Sequence, residues 1–101
     1  MSLEERLRAL SDERLAGMRR GIEKESLRAQ PDGKLALTPH PAALGSALEN
    51  PRITTDFSES QVELITGVHG GVESCLQELT EIHQFVMQAI GDEMLWVASM
   101  P

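Results

Sequence analysis

The sequence predicts an α+β domain in which a small sheet is flanked by helices, and three stretches carry this prediction. Residues 72–90 have apolar side chains at every third or fourth position, which is the spacing of an amphipathic helix. Residues 21–28 and 52–66 have the composition of strands. The resulting order of helix, strand pair, short helix, strand and long helix is typical of α+β folds.

Composition limits the class of protein. The chain has 101 residues, of which 41% are hydrophobic, and its formal net charge is −7. This length allows one domain at most, or a piece of a larger one. The negative charge argues against a nucleic-acid partner, because proteins that bind phosphate backbones carry a basic patch. The same charge is compatible with a site that gathers carboxylates around metal ions.

The cysteine count and the N-terminus indicate the compartment. Cys75 is a single cysteine, so the chain forms no internal disulfide, and this fits a reducing environment. Residues 1–6 are too charged for a signal peptide, and no apolar run is long enough to span a membrane. We therefore expect a cytoplasmic protein that binds neither membrane nor nucleic acid.

Two short helices are expected at the N-terminus. Ser2 and Glu5 have the spacing of a capping box, and leucines recur at helical spacing through residue 10. Ser11 and Asp12 can cap a second short helix that runs to Met18. The sequence then enters the strand at 21–28.

A hairpin is expected after this first strand. Pro31 presets φ for a turn and Gly33 can adopt a positive φ, so residues 34–37 can return antiparallel to the first strand. Residues 38–41 contain two prolines, which interrupt regular secondary structure. Residues 42–48 then have the pattern of a short helical turn.

The stretch 52–66 favours a strand at both of its ends. Val62, Leu64 and Thr66 share one face of the second half, and Gln61, Glu63 and Ile65 share the other. Asp56 has the opposite parity to Glu63. If both point to one site, the backbone must bend, bulge or start its strand late between them.

The helix at 72–90 carries an apolar stripe and is followed by Gly91, a residue typical of helix ends. The stripe consists of Val72, Cys75, Leu76, Leu79, Ile82, Val86 and Ile90. On this stripe Cys75 is expected to act as a small buried hydrophobe, and His83 beside it as a core histidine rather than a ligand. The predicted sheet has three strands and two open edges, which indicates that the chain is the opening part of something larger.

Glu23 and Glu25 are the first candidate site. They lie two residues apart on a strand and therefore point to the same face, where their charges repel. Solvation can relieve this repulsion, and so can a bound Mg²⁺, because hard cations prefer carboxylate oxygens. Nearby, Arg28 can contact a substrate anion or pair with an acidic neighbour.

Five motifs in register resemble the N-terminal segment of the proteobacterial type of glutamate–cysteine ligase. The resemblance runs from about residue 20 to the end of the chain. The motifs are GIEKESLR at 21–28, PHPAALGSAL at 39–48, ITTDFSES at 53–60, VELIT at 62–66, and GDE with LW and SMP at 91–101.

This resemblance implies a reaction and a fold. The family joins the γ-carboxyl group of L-glutamate to L-cysteine at the expense of ATP, through a γ-glutamyl phosphate, in the first step of glutathione biosynthesis. Its fold is similar to that of glutamine synthetase, with an antiparallel sheet that holds the substrates and Mg²⁺ or Mn²⁺.

The resemblance also assigns roles to residues of this sequence. Glu23, Glu25, Asp56 and Glu63 match acids of the family's metal site. Phe57 matches a residue that lines the pocket for the cysteine side chain. The nucleotide-binding residues have no counterpart among the matched positions, and no catalytic residue is assigned.

Family enzymes are several times longer than this chain. We therefore expect residues 1–101 to be an N-terminal segment of the catalytic domain that is inactive alone. Two alternatives stay open at this stage. One is a related ATP-dependent ligase with another amine acceptor, and the other is a non-catalytic fragment that self-associates or docks on a partner through its open sheet edges.

Overall fold

The computed structural model describes residues 1–46, 50–55 and 58–100, and its architecture confirms the α+β prediction. The helices are α1 (Leu3–Arg8), α2 (Asp12–Ala16) and α3 (Val72–Ala89), with a 3₁₀ turn at Ala42–Leu44. The strands are β1 (Glu23–Ala29), β2 (Ile53–Thr54), β3 (Gln61–Ile65) and β4 (Met94–Leu95). They form one antiparallel sheet in the order β2-β3-β1-β4.

The hydrophobic core lies between this sheet and α3. Its buried members come from the 3₁₀ turn, from β2 and β3, and from the C-terminal half of α3. They are Leu44, Ile53, Val62, Leu64, Val86 and Ile90. Burying a side chain of this size stabilises the fold by about 1.5–3 kcal/mol. The predicted apolar face of β3 is confirmed, because Val62 and Leu64 are fully buried and Thr66 is 7% exposed.

The apolar stripe of α3 is buried over only part of its predicted length. Cys75 is buried and lies 3.7 Å from the hydroxyl of Thr66, as expected for a small hydrophobe. Val72 and Leu76, however, are 65% and 55% exposed, although both belong to the stripe. The core cluster meets α3 only from Leu79 onward. Helical periodicity gives the face of a helix but not where the partner surface begins.

The two N-terminal helices begin where the sequence predicts. Ser2 and Glu5 form the reciprocal capping box of α1, and Ser11 caps α2 through the backbone N–H of Arg14. Neither helix has a buried residue. The capping bonds therefore define these helices locally, without support from the core.

The predicted hairpin forms its turn but not its second strand. Gly33 has a φ of +87°, and Gln30 donates its N–H to Lys34 at 2.7 Å. The return is limited to a bridge between Ala29 and Leu35. The reason is that β3 already occupies this edge of β1 as far as Leu27. Only the last residues of β1 are left for the returning chain to pair with.

Strand β4 was not predicted from the sequence. Met94 and Leu95 pair with Ala29 and Arg28, and the backbone N–H of Trp96 donates to Leu27 at 2.8 Å. The sheet therefore has four strands in the described residues rather than three. A two-residue strand is too short to show a period of two, so its sequence carries no signal.

Gly91 ends α3 as predicted. The helix stops at Ala89, Ile90 caps it, and Gly91 follows with a φ of +68°, in the left-handed region. Gly91→Ala should therefore lower the free energy of unfolding by about 1 kcal/mol, because a Cβ is strained at this φ. Urea unfolding checks this, with Gly70→Ala, which has open space and an ordinary φ, as the control. Equal stability of both variants would contradict the prediction.

Within residues 1–46, 50–55 and 58–100, no helix combines the length and the apolar character needed to cross a bilayer.

Candidate functional site

The sheet face opposite α3 is acidic. Glu23 and Glu25 share one face of β1, as predicted. They alternate with residues of the helix-covered face, so both point away from the core. The register places Glu25 directly opposite Glu63 of β3, and Thr54 of β2 lies opposite Glu63 on its other side. Directly opposed residues of antiparallel strands have Cα atoms about 4.5–5.5 Å apart. We call Glu23, Glu25 and Glu63 the acidic face.

Electrostatics make the acidic face suited to a cation. Glu23 and Glu25 are exposed and Glu63 is half-buried. The side chain of Gln61 donates a hydrogen bond from Nε2 to Oε2 of Glu25 at 3.2 Å, which orients the Glu25 carboxylate on the acidic face. Like charges directly opposite each other on a sheet destabilise the fold. A divalent cation bound by oxygen ligands would remove this repulsion.

Three of the four predicted metal ligands lie in the described residues, and these three are not gathered at one point. Glu25 and Glu63 face each other, whereas Glu23 pairs with Ile65, one step further along the same face. Across the part of the chain that the structure describes, no three acidic, histidine or cysteine side chains are close enough to hold a metal ion. Carboxylate oxygens are the donors that a hard cation such as Mg²⁺ prefers.

Asp56 and Phe57 lie outside the described residues, so their predicted roles stay predictions. The chain around them differs from the expected single strand, because β2 and β3 run antiparallel and Thr54 pairs with Glu63. The chain therefore reverses direction between residues 54 and 61. Side-chain parity counted along one continuous strand does not apply across this reversal.

Arg28 lies at the centre of a buried hydrogen-bond cluster. Its side chain has no exposed surface and pairs with Glu93, with Nη1 and Oε1 2.6 Å apart. The sequence left two partners possible for Arg28, a substrate anion or an acidic side chain. The structure shows the acidic side chain, Glu93. The same guanidinium donates to the backbone carbonyls of Thr38 at 2.6 Å, Pro39 at 3.3 Å and Glu59 at 2.7 Å. We call Arg28, Thr38 and Glu93 the arginine cluster.

This cluster was not predicted from the sequence, because the partners of Arg28 come from distant segments of the chain. Arg28 has the same strand parity as Ser26 and so belongs to the helix-covered face, where a cation needs a buried partner. His40 lies beside the cluster. Burial and the neighbouring Arg28 charge lower the pKa of His40, so its ring stays neutral near pH 7.

A second polar network fixes the loop before α3. Glu78 accepts a hydrogen bond from the backbone N–H of Gly67, and its Oε1 lies 3.0 Å from Nε2 of His69. Arg52 approaches the other carboxylate oxygen at 3.8 Å. These contacts, led by the His69 hydrogen bond, lower the pKa of Glu78 below its ordinary value of 4.5.

This pKa gives a prediction for acid stability. The ionised Glu78 carboxylate stabilises the folded state at pH above about 4.5, and this stabilisation disappears as the pH falls through the lower pKa of the folded state. Glu78→Gln should therefore be less stable than the wild type at pH 7, with the difference shrinking in acid. Urea unfolding at pH 7, 5 and 3.5 tests this, with Glu81→Gln as the control. A difference that is independent of pH would contradict it.

An open groove of about 390 Å³ lies between β1 and α3, on the face opposite the acidic residues. Lys24 and His83 line it together with Leu79, Thr80 and Gln84. Burial lowers the pKa of both Lys24 and His83, and the Lys24 charge lowers that of His83 further. His83 is half-buried against the apolar stripe.

Two solved structures contain a segment with the fold of this chain. The chain is similar to the glutamate–cysteine ligase of Francisella tularensis in complex with AMP, with a TM-score of 0.78 and 42% identity over 82% of this chain and 17% of that one. A bifunctional glutathione synthetase from Pasteurella multocida gives a TM-score of 0.77 and 42% identity over 82% of this chain and 11% of that one. The fold is thus a segment of an α+β ligase.

Sequence comparison gives the particular family. Two glutamate–cysteine ligases, from Edwardsiella ictaluri and Bordetella petrii, are each 55% identical to this chain, over 86% and 95% of it. The sequence profile of the glutamate–cysteine ligase family matches residues 5–101. The chain belongs to the glutamate–cysteine ligase family. It spans only 17% and 18% of the length of those two relatives.

Proposed function

We propose that this chain forms part of the active site of an enzyme that joins the γ-carboxyl group of L-glutamate to L-cysteine with ATP as the energy source. The observation that carries the proposal is the Glu25–Glu63 pair, which lies on a sheet whose fold is that of the family. The AMP bound to the Francisella tularensis relative supports ATP as the nucleotide substrate. A cytoplasmic location fits these substrates.

The chemistry explains why carboxylates are useful here. A γ-carboxylate is a poor electrophile, and phosphorylation by ATP turns it into an acyl phosphate that the cysteine amine can attack. Phosphoryl transfer depends mainly on positioning and charge neutralisation, which Mg²⁺ supplies when bound. The residues of this chain contribute by holding oxygen ligands on a rigid sheet. We assign Glu23, Glu25, Glu63 and Asp56 to this role, and Phe57 to the pocket for the cysteine side chain.

The size of the chain limits what it does alone. The chain spans less than a fifth of the two relatives compared. From the resemblance of its motifs, we propose that residues 1–101 are an N-terminal segment of the catalytic domain. The nucleotide-binding residues and further metal ligands would come from the rest of that domain. We expect the 101-residue chain to bind a divalent cation weakly and to form no product by itself.

A chimera tests the proposal. The segment of the Bordetella petrii enzyme that matches this chain is replaced by residues of this chain, which are 55% identical to it. The chimeric ligase should release phosphate from ATP only when L-glutamate is present and should form γ-glutamylcysteine when L-cysteine is added. A panel of other amines tests the acceptor. A folded chimera without product, or one that prefers another amine, would overturn the proposed reaction.

A further inference from the structure

We propose that Arg28 is a positioning residue for the acidic face. Its buried guanidinium and its own backbone fix the point at which the chain enters β3, and so keep Glu63 opposite Glu25. Arg28 points to the helix-covered side of β1, so it acts on the acidic face through the backbone. That the acidic face binds a metal ion rests on the proposed function. That Arg28 positions Glu63 opposite Glu25 does not.

Two hydrogen bonds place the entry to β3. The Arg28 guanidinium donates from Nη2 to the carbonyl of Glu59 at 2.7 Å, and the Arg28 backbone N–H donates to the carbonyl of Ser60 at 2.7 Å. Gln61, the first residue of β3, follows directly. One residue of β1 thus holds two successive residues before the strand that carries Glu63.

The entry point matters because strand side chains alternate. A slip of one residue in the register would move every side chain of β3 to the other face. Glu63 would then point into the core and Leu64 would point to the acidic side. An anchor at Glu59 and Ser60, only three residues before Glu63, opposes such a slip.

The remaining contacts explain why this residue is an arginine. The guanidinium also donates to the backbone carbonyls of Thr38 and Pro39, to the hydroxyl of Thr38 and to Glu93. These acceptors lie in different directions, and a planar group with several N–H donors can reach them at once. A lysine retains the charge but has a single nitrogen, so it cannot replace this set. Glu93 supplies the compensating negative charge.

Hydrogen exchange distinguishes positioning from general stabilisation. In the 101-residue chain, Arg28→Lys should lower the protection of the amides of residues 59–65 by about tenfold more than that of the amides in the middle of α3. Arg52→Lys is the matched control, because Arg52 also pairs with a glutamate but is 45% exposed. Uniform loss of protection, or no loss, would overturn the inference. If Arg28→Lys does not fold, Thr38→Val, which removes one acceptor, should give the same pattern more weakly.

Metal affinity provides the second readout. Supporting residues around a metal site typically contribute 10–100-fold in affinity. We therefore expect Mn²⁺ to bind folded Arg28→Lys about tenfold or more weakly than the wild type, measured by calorimetry, with Arg52→Lys unchanged. Equal affinity of the two variants would overturn the inference. A wild-type chain without Mn²⁺ binding would instead count against the metal assignment of the proposed function, and the exchange pattern alone would then decide the role of Arg28.

Discussion

Glu25→Gln is expected to reduce γ-glutamylcysteine formation by the chimeric ligase about 100-fold or more, the magnitude typical of removing one preorganised electrostatic group from an active site. The same substitution should raise the free energy of unfolding of the metal-free chain by about 0.2–1 kcal/mol, because it removes one of two like charges that lie directly opposite each other. Activity and stability thus change in opposite directions, as expected for a charge that serves function rather than folding.

Steady-state kinetics and urea unfolding measure these two effects. Glu81→Gln is the matched control, since Glu81 is exposed on α3 and its carboxylate accepts a hydrogen bond from Gln77. The control should leave both quantities nearly unchanged. If Glu25→Gln retained full activity, Glu25 would not be part of the proposed site. A loss of stability would show that the pair is already neutralised in the folded chain.

Arg28→Met is expected to lower the free energy of unfolding by about 3–5 kcal/mol, the range for breaking a buried ion pair by removing one partner. The substitution leaves Glu93, which is only 13% exposed, without its counter-charge, and it removes the donors to three backbone carbonyls. Urea unfolding at pH 7 measures the loss.

A double-mutant cycle separates the ion pair from the carbonyl contacts. Adding Glu93→Met to Arg28→Met should recover part of the loss, because it removes the uncompensated charge. The carbonyls would still lack donors, so recovery should be incomplete. Arg52→Met should cost at most about 1 kcal/mol, as for exposed pairs. A loss for Arg28→Met no larger than that of Arg52→Met would contradict the expected role of burial.

The sequence predicted the elements that depend on local chemistry. Ser2 with Glu5, Ser11 and Gly91 each specify a helix end through a side chain or a backbone angle of their own. Strand alternation likewise predicted that Glu23 and Glu25 share a face. These features need no information about distant residues.

The features that escaped prediction depend on contacts between distant parts of the chain. The opposition of Glu25 and Glu63 follows from the register of β1 on β3, and the site of β4 follows from the free edge of β1 near Ala29. The role of Arg28 depends on carbonyl groups from two other segments. Periodicity gives the face of each element but not the partner that covers it, so the stripe did not show that Leu76 would be exposed.

The pairing of β4 with β1 gives this protein an internal optical probe. Trp96 is the only tryptophan of the chain, it is partly buried, and its backbone N–H is bonded to Leu27 of β1. Indole emission depends on the polarity around the ring, so a red shift would signal that this edge of the sheet has separated and that water has reached the ring. Fluorescence can therefore follow the edge strand while circular dichroism follows α3. Coincident transitions would show that the sheet edge and the long helix unfold as one cooperative unit.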